Sequence, residues 1–345
     1  MLPGTHYSLS ETSMRHIHVM AAVIRDTQGR ILIAKRPDDV HQGGLWEFPG
    51  GKLEDGEARS DGLRRELHEE LGITLTQARP LLDIRHDYPD KSVRLDVWLV
   101  TGFDGLAHGA EGQPVRWVSA AELDDYDFPA ANAPIVQAAQ LPEVYLITPD
   151  VSDEAELFAG LEQAREMGVR LVQLRQTALS ATAYGDLVQR VLARFGDDFQ
   201  WLMKGDEAPA WPGVGWHLTG KQLRQMWLQY AGPDASGNRN EGWIKRFPLA
   251  ASCHDAEELA MAAELGVDFV TLSPVMPTAT HPDAVPLGWE RVQELIETVN
   301  MPVYLLGGIG PETRHRAFDI GAQGVAGIRR FWSEAAAVRT AKAGY

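Results

Sequence analysis

Hydrophobic and polar positions follow two different rhythms along this chain. Up to about residue 139 the pattern is mixed. Apolar, β-branched stretches at 16–24 and 31–34 flank a polar turn at 26–29, and both read as strands. In 60–71 the residues Leu63, Leu67 and Leu71 recur every four positions on one face, which predicts a helix with Ser60 as its N-cap. Residues 93–100 and 115–118 read as strands, and 132–139 as a short terminal helix. From 144 onward strand and helix patterns alternate. Strands are predicted at 144–147, 171–174, 200–203, 215–218, 248–251, 269–272, 303–306 and 324–327, and amphipathic helices at 155–167, 181–194, 256–265 and 289–298. The expected class is therefore α/β overall: an α+β domain over 15–139, then a (β/α)8 TIM barrel over 144–345. A doubly wound open sheet is the alternative, because periodicity does not show closure. The join at 140–143 is short and contains Pro142, so the halves stay at high local concentration. Residues 1–14 read as a flexible leader and 232–241 as a polar, Gly-rich surface loop.

Composition narrows the function. The 345 residues leave room for two cores, and no apolar run is long enough to span a membrane. The start of the chain has no secretory pattern. Cys253 is the single cysteine, which excludes an internal disulfide and a multi-cysteine metal site and fits a reducing cytoplasm. Acidic residues outnumber basic ones 48 to 32, for a net charge of −16, the wrong balance for stable binding to nucleic acid. An acidic protein that handles a phosphorylated small molecule needs a local source of positive charge, and a bound metal supplies one. Oligomeric state is not legible.

The candidate chemistry lies in GGKLEDGEARSDGLRRELHEELGI, residues 50–73. Glu66, Glu69 and Glu70 fall at i, i+3 and i+4, so a helix brings the three carboxylates to one face. Like charges so placed repel unless a cation binds them, and hard oxygen ligands select Mg²⁺ or Mn²⁺. Arg64 and Arg65 are near enough to orient the cluster, and Gly50 and Gly51 permit a tight loop against metal or phosphate. A solvated, charge-laced helix is the bland meaning of such a run.

The spacing Gly51, Glu57, then Arg65 through Ile73 matches the Nudix box, and 15–139 resembles the MutT branch of the Nudix hydrolases, which clears oxidised guanine nucleotides. KRPDDVHQGGLWEFPGGK precedes the box as in that branch. The resemblance implies metal ligation by the Gly50 carbonyl, Glu66, Glu69, Glu70 and Glu111 of EGQP, with phosphate contacts from Arg36 and Lys52. FPAANAP resembles the family's FPPANEP, which makes Asn132 the reader of the purine edge. An amide suits that task, with donor and acceptor side by side. Asn132 could equally cap the helix that follows, and Phe48 and Trp46 line the base pocket or are plain core. Glu66, Glu69 and Glu70 would carry catalysis, with Glu66 or Glu69 taking the proton from water. Glu57 is expected to pair with Arg65 as structural support. The resemblance implies attack at the β-phosphorus, giving the nucleoside monophosphate and pyrophosphate; the residues themselves leave attack at the α-phosphorus open.

Residues 144–340 resemble the thiamin phosphate synthase and TenI family of barrels. VQLRQ, GWHLTGKQL, SCHDAEE, SPVMPTATH and LGGIGPE occur in family order. The resemblance implies phosphate binding by Arg175, Ser252, His254, Thr278, Thr280, Gly307 and Gly308. Several family positions are changed. Thr177 and His281 stand where the family has lysines, Gly205-Asp206 where it has Asn-Asp, and Gln222 where it has a metal carboxylate. Synthase activity is therefore not expected, although His254 or His217 could serve a metal-free acid–base reaction. Cys253 reads as an inert buried thiol, and Arg329-Arg330 as either a phosphate contact or a solvated helix start.

The leading expectation is a Mg²⁺-dependent nucleoside triphosphate pyrophosphohydrolase acting on 8-oxo-dGTP, a nucleotide-pool activity that averts mutation. The alternatives are hydrolysis of a thiamin-pathway pyrophosphate, with a thiamin-type phosphate in the barrel, and a regulatory protein that senses such a phosphate.

Overall fold

The computed structural model describes residues 15–39, 42–87, 91–232, 248–278, 283–329 and 331–332. The predicted leader, nearly all of the loop at 232–241, and Thr280, His281 and Arg330 lie outside the described residues.

The first unit is a mixed sheet of β1 (Arg15–Arg25), β2 (Ile31–Lys35), β3 (Trp46–Glu47), β4 (Thr74–Asp87), β5 (Lys91–Asp104) and β6 (Val115–Val118). Its order is β3-β2-β1-β5-β4, with β6 paired to β2. The alternation of a strand sends successive β1 residues to opposite faces. Met20, Ala22 and Ile24 pack with Leu63, Leu67 and Leu71 of α1 (Arg59–Leu71), whereas Ala21 and Val23 pack with Ile135, Ala138 and Ala139 of α2 (Ala133–Gln140). The sheet is thus held between two helices.

Two local expectations are corrected here. Ser60 does not cap α1: the helix begins at Arg59, after Ala58, which has no side chain able to cap. Asn132 belongs to a 3-10 turn (Ala130–Asn132) and its side chain makes no capping bond to α2. Strand β4 was not predicted because register shifts at Leu75/Gln77, Gln77/Ala78 and Pro80/Leu82 break the period of two that identifies a strand.

The second unit is a closed parallel barrel, which removes the open-sheet alternative. Its strands are β7 (Val144–Ile147), β8 (Leu171–Leu174), β9 (Gln200–Met203), β10 (Gly215–Leu218), β11 (Leu249–Cys253), β12 (Phe269–Leu272), β13 (Val303–Leu305) and β14 (Gly324–Gly327). Around them lie α3 (Glu154–Glu166), α4 (Ala181–Phe195), α5 (Gly220–Tyr230), α6 (Ala256–Leu265), α7 (Trp289–Ile296) and α8 (Arg314–Asp319). Tyr145, Leu171, Leu202, Phe269 and Tyr304 fill the interior. Helix α5 escaped prediction because it buries only Leu223 and Met226; its legible signal was the capping box of Thr219 with Gln222.

The two units meet at the N-terminal end of the barrel. Arg79 of β4 donates to the carbonyls of Ala322 (3.2 Å) and Gln323 (3.2 Å), pairs with Glu143, and lies 3.9 Å above the Phe318 ring. Asn300 exchanges two hydrogen bonds with the backbone of Arg85. Asn300, Ala322 and Gln323 precede β13 and β14, so the barrel mouth, at the C-terminal strand ends, faces away from the first unit.

Candidate active site

Helix α1 carries the carboxylates, and its core face explains their presentation. Leu63, Leu67 and Leu71 are fully buried, so the opposite face, with Glu66 and Glu69, turns toward the loop at Gly50 and Gly51. That loop is locked to the sheet by Met20 N–H to Gly51 O (2.7 Å) and Ala22 N–H to Pro49 O (2.8 Å). Glycine is required at both positions. Gly50 has φ 146°, and a Cβ there would stand 2.1 Å from the Met20 carbonyl. A Cβ on Gly51 would stand 2.1 Å from Oε2 of Glu66, so the missing side chain is what lets this carboxylate reach the loop.

Arg65 organises the cluster. It donates to Glu57 through Nε (3.0 Å) and Nη2 (2.9 Å), to Glu66 (2.8 Å), to Glu69 (3.3 Å) and to the Lys52 carbonyl (3.0 Å). These bonds hold its guanidinium well above the usual arginine range and pull the Glu57 carboxyl below its ordinary value. Arg64 instead pairs with Asp61 on the surface and takes no part in the cluster. Lys52 is exposed.

Glu70 sits deeper. One carboxylate oxygen accepts from the Gly50 N–H at 2.9 Å. Its backbone carbonyl accepts from Ala110 N–H and from the Gln113 amide, which ties the 110–113 loop, and with it Glu111, to the end of α1. Burial, against the pull of the Gly50 bond and with further push from Glu47, Glu111 and Glu66, raises the Glu70 carboxyl from 4.5 to about 7. Glu47 was not foreseen as part of this acidic group. It lies on β3, is itself raised by burial, and pairs with Arg36, the residue expected to touch phosphate.

Among the described residues no three such side chains already stand as a metal cage. Arg65 occupies Glu66 and Glu69, and like charges without a cation stay apart. The donors nevertheless fit a hard divalent ion: all are oxygens, and the rise in Glu70 records the neighbouring negative charge that such an ion would relieve. The sign of the effect on stability follows. Because the folded value lies above the unfolded one, this contribution is complete below pH ~4.5 and is lost as pH rises through ~7. Metal-free protein is expected to lose up to about 3 kcal/mol across that window, and Mg²⁺ to restore it with proton release. Urea melts in chelator from pH 4 to 8 check this, with Glu70→Gln reducing the slope and Glu47 supplying part of what remains; a flat profile for the native chain would refute it.

The other expected residues are placed as follows. Phe48 is 4% exposed and stacks on Phe128 with ring centroids 5.4 Å apart, so it is core behind the FPAANAP segment. Asn132 is half-buried at the end of that segment, and its side-chain amide makes no hydrogen bond among the described residues. Sequence reasoning missed Asp96, buried on β5, which accepts from His18, Arg59 and Trp98 and fixes the start of α1.

In the barrel, Arg175 is paired with Asp150, which also accepts from Thr177. His254 is half-exposed and bonded to Glu258 at 2.8 Å. His217 is buried between Tyr145 (2.8 Å) and Ser252 (2.9 Å), and burial lowers it to about 4, so it stays neutral at physiological pH. Asp206 has Gln222 at 3.5 Å where a second carboxylate would be needed for magnesium, and the Lys204 ammonium lies over the Tyr184 ring. Gly307 and Gly308 adopt positive φ and pack on Pro274 and Met276. Burial raises the Cys253 thiol, as expected of an inert residue. No helix among the described residues is long and apolar enough to cross a membrane.

Comparison with known proteins agrees with this division. The NUDIX domain model matches residues 20–138, and the thiamine monophosphate synthase model matches 235–331. The chain is 37% identical over 123 residues to an 8-oxo-dGTP diphosphatase of Escherichia coli (strain K12), covering 36% of this chain and 95% of that one. It is 38% identical over 125 residues to a CTP pyrophosphohydrolase of the same organism, covering 36% and 92%. It is 32% identical over 195 residues to a putative thiamine-phosphate synthase 2 of Aquifex aeolicus (strain VF5), covering 56% and 98%. The family implies a divalent-metal-dependent mechanism in general. The chain belongs to the Nudix hydrolases, with a MutT-like domain that acts on the phosphoanhydride bonds of nucleotides fused to a thiamine-phosphate-synthase/TenI-like barrel.

Proposed function

We propose that this Nudix domain hydrolyses 8-oxo-dGTP to 8-oxo-dGMP and pyrophosphate. The observation that carries the reading is the unspent amide of Asn132, half-buried at the start of α2 with no hydrogen bond among the described residues. An amide kept free of capping duty offers a donor and an acceptor to the edge of an oxidised purine. A site built to make both bonds rejects a base that cannot return them.

The Gly50 carbonyl and the carboxylates of Glu66, Glu69, Glu70 and Glu111 would hold Mg²⁺ or Mn²⁺. When bound, that ion supplies charge neutralisation of the triphosphate and a more acidic water. The chain does the rest. Glu66 or Glu69 accepts the proton of the attacking water, and the Gly50–Gly51 backbone lets the phosphates approach closely. Arg36, released from Glu47, and Lys52 bind the negative charge that builds on the leaving phosphates. Arg65, bound to Glu57, keeps the carboxylates aligned.

The test is phosphate or pyrophosphate release by the full chain with Mg²⁺ from 8-oxo-dGTP, dGTP, CTP and thiamin diphosphate. The expected result is a strong preference for 8-oxo-dGTP, with Asn132→Ala lowering kcat/KM for it about 100-fold, as losing two buried hydrogen bonds should. Equal turnover of dGTP and 8-oxo-dGTP would overturn the reading. Preference for CTP or for thiamin diphosphate would move the site to a pyrimidine or to a vitamin substrate.

A further inference from the structure

We infer that the closed end of the barrel positions the base pocket of the Nudix domain, with Gln137, Asp268 and Gln323 as the positioning residues. The inference rests on the proposed reading of Asn132 as the group that recognises the base.

The argument starts from helix α2. A helix leaves its last carbonyls without partners inside the helix. In α2 and just beyond it, Gln323 of the barrel donates to the carbonyls of Ala138 (3.1 Å) and Leu141 (3.0 Å), while Arg25 of β1 donates to that of Ala139 (3.0 Å). Gln323 is 2% exposed, so both of its donors are committed in a place without water. One turn earlier, the Gln137 amide donates to Asp268, whose other oxygen accepts from Leu249 N–H at the start of β11. The helix is therefore fixed on one side by Ile135, Ala138 and Ala139 in the sheet core and on the other by barrel side chains.

Asn132 sits at the opposite end of this helix, and Phe128 one turn before it. On the barrel side the surroundings of Phe128 are open. A cleft of about 820 Å³ separates Phe128 and Ala133 from Val267 and Met301 of the barrel. On the Nudix side the segment is held by the Phe48–Phe128 stack and by Trp46 N–H to the Asp127 carbonyl (2.9 Å). Among the described residues no hydrogen bond crosses the cleft to residues 126–133, so the barrel acts on them through the rigid helix, from the anchors at 137, 138 and 141. An error of about 1 Å in placing a recognition group weakens binding by an order of magnitude or more. The barrel mouth, pointing away, takes no part.

The experiment uses the full chain and steady-state kinetics. Gln137→Ala, and Gln323→Met, which keeps the shape and removes both donors, are expected to raise KM for the nucleotide preferred by the native chain about tenfold and to leave kcat within about twofold. Gln137→Lys, whose ammonium can donate to Asp268, is expected to restore KM; a purely structural loss would not be rescued this way. Native KM in both variants and in their double combination overturns the inference. So does an equal rise in KM for inorganic tripolyphosphate, which has no base to read. Failure of the base-pocket reading is seen separately, in a native chain that does not distinguish 8-oxo-dGTP from dGTP.

Discussion

Glu66→Gln should lower Mg²⁺-dependent turnover of the preferred nucleoside triphosphate by about a thousandfold, the scale of a lost catalytic base or metal-binding charge. The substitution isolates charge from shape. The Glu66 side chain is 13% exposed, pressed against Gly51 and bonded to Arg65, and an amide fits the same space. Stability should therefore change little while the reaction fails. Glu69→Gln is the informative companion. Glu69 is 54% exposed and held only by the longer Arg65 contact, so it is free to move onto a bound water. If Glu69 is the base, its amide variant will lose turnover while still binding Mg²⁺ with little change, whereas Glu66→Gln will weaken the metal as well. Isothermal titration with Mg²⁺ beside initial rates separates the two. A loss below tenfold in both variants would remove the helix from the chemistry.

The second large effect is structural. Asp96→Ala is expected to cost roughly 3 kcal/mol, because it removes a buried anion that three part-buried donors share. Asp96 is fully buried and accepts from His18 (3.1 Å), Trp98 (2.8 Å) and the Arg59 guanidinium (2.6 Å at Nη2). Arg59 is the first residue of α1, and that helix begins without a side-chain cap. The Asp96–Arg59 pair takes over the task of fixing where α1 starts, and the positions of Glu66, Glu69 and Glu70 follow from it. Arg59 is 43% exposed and can swing into water when its partner is lost, which keeps the cost from being larger. Urea melts followed by helix ellipticity give the value; a difference under about 0.5 kcal/mol would show that the pair is decorative. Turnover should fall together with stability, since the carboxylates lose their frame.

The barrel sets the limits of what can be carried over from its relatives. Its strands and glycine turn are in place, yet the charged groups described at the mouth are poorly arranged for a diphosphate. Arg175 is satisfied by Asp150, and Asp206 faces an amide. A diphosphate held with magnesium needs more anchoring than that. The buried end shows denser polar bonding: Asn300, Asp268 and Gln323 commit side chains to the Nudix domain, and Arg79 of that domain reaches back to the barrel carbonyls.

Most of the fold was legible because its signals are local. All eight barrel strands are short, mostly buried runs whose composition alone separates them from the amphipathic helices between, and the Leu63, Leu67, Leu71 spacing placed α1. The box around Glu66 was legible for the same reason, since its glycines, carboxylates and arginine lie within one turn–helix unit. What escaped was decided by partners distant in the chain. Strand β4 is defined by its pairing with β5 and not by its own pattern, which bulges interrupt. Asp96 reads as an ordinary polar strand residue until folding brings His18 and Arg59 to it. Glu47 joins the acidic group only because β3 lies beside α1, and Arg36 meets it there. Barrel closure requires β14 to find β7, nearly two hundred residues earlier in the chain. The docking of the barrel's closed end on α2 is likewise a matter of surfaces. The sequence determined which chemistry each half carries, because hydrogen-bonding and charged groups at fixed spacing belong to single elements. Only the tertiary structure decided how far those groups are spent on one another, because burial and distance set the strength of every such interaction.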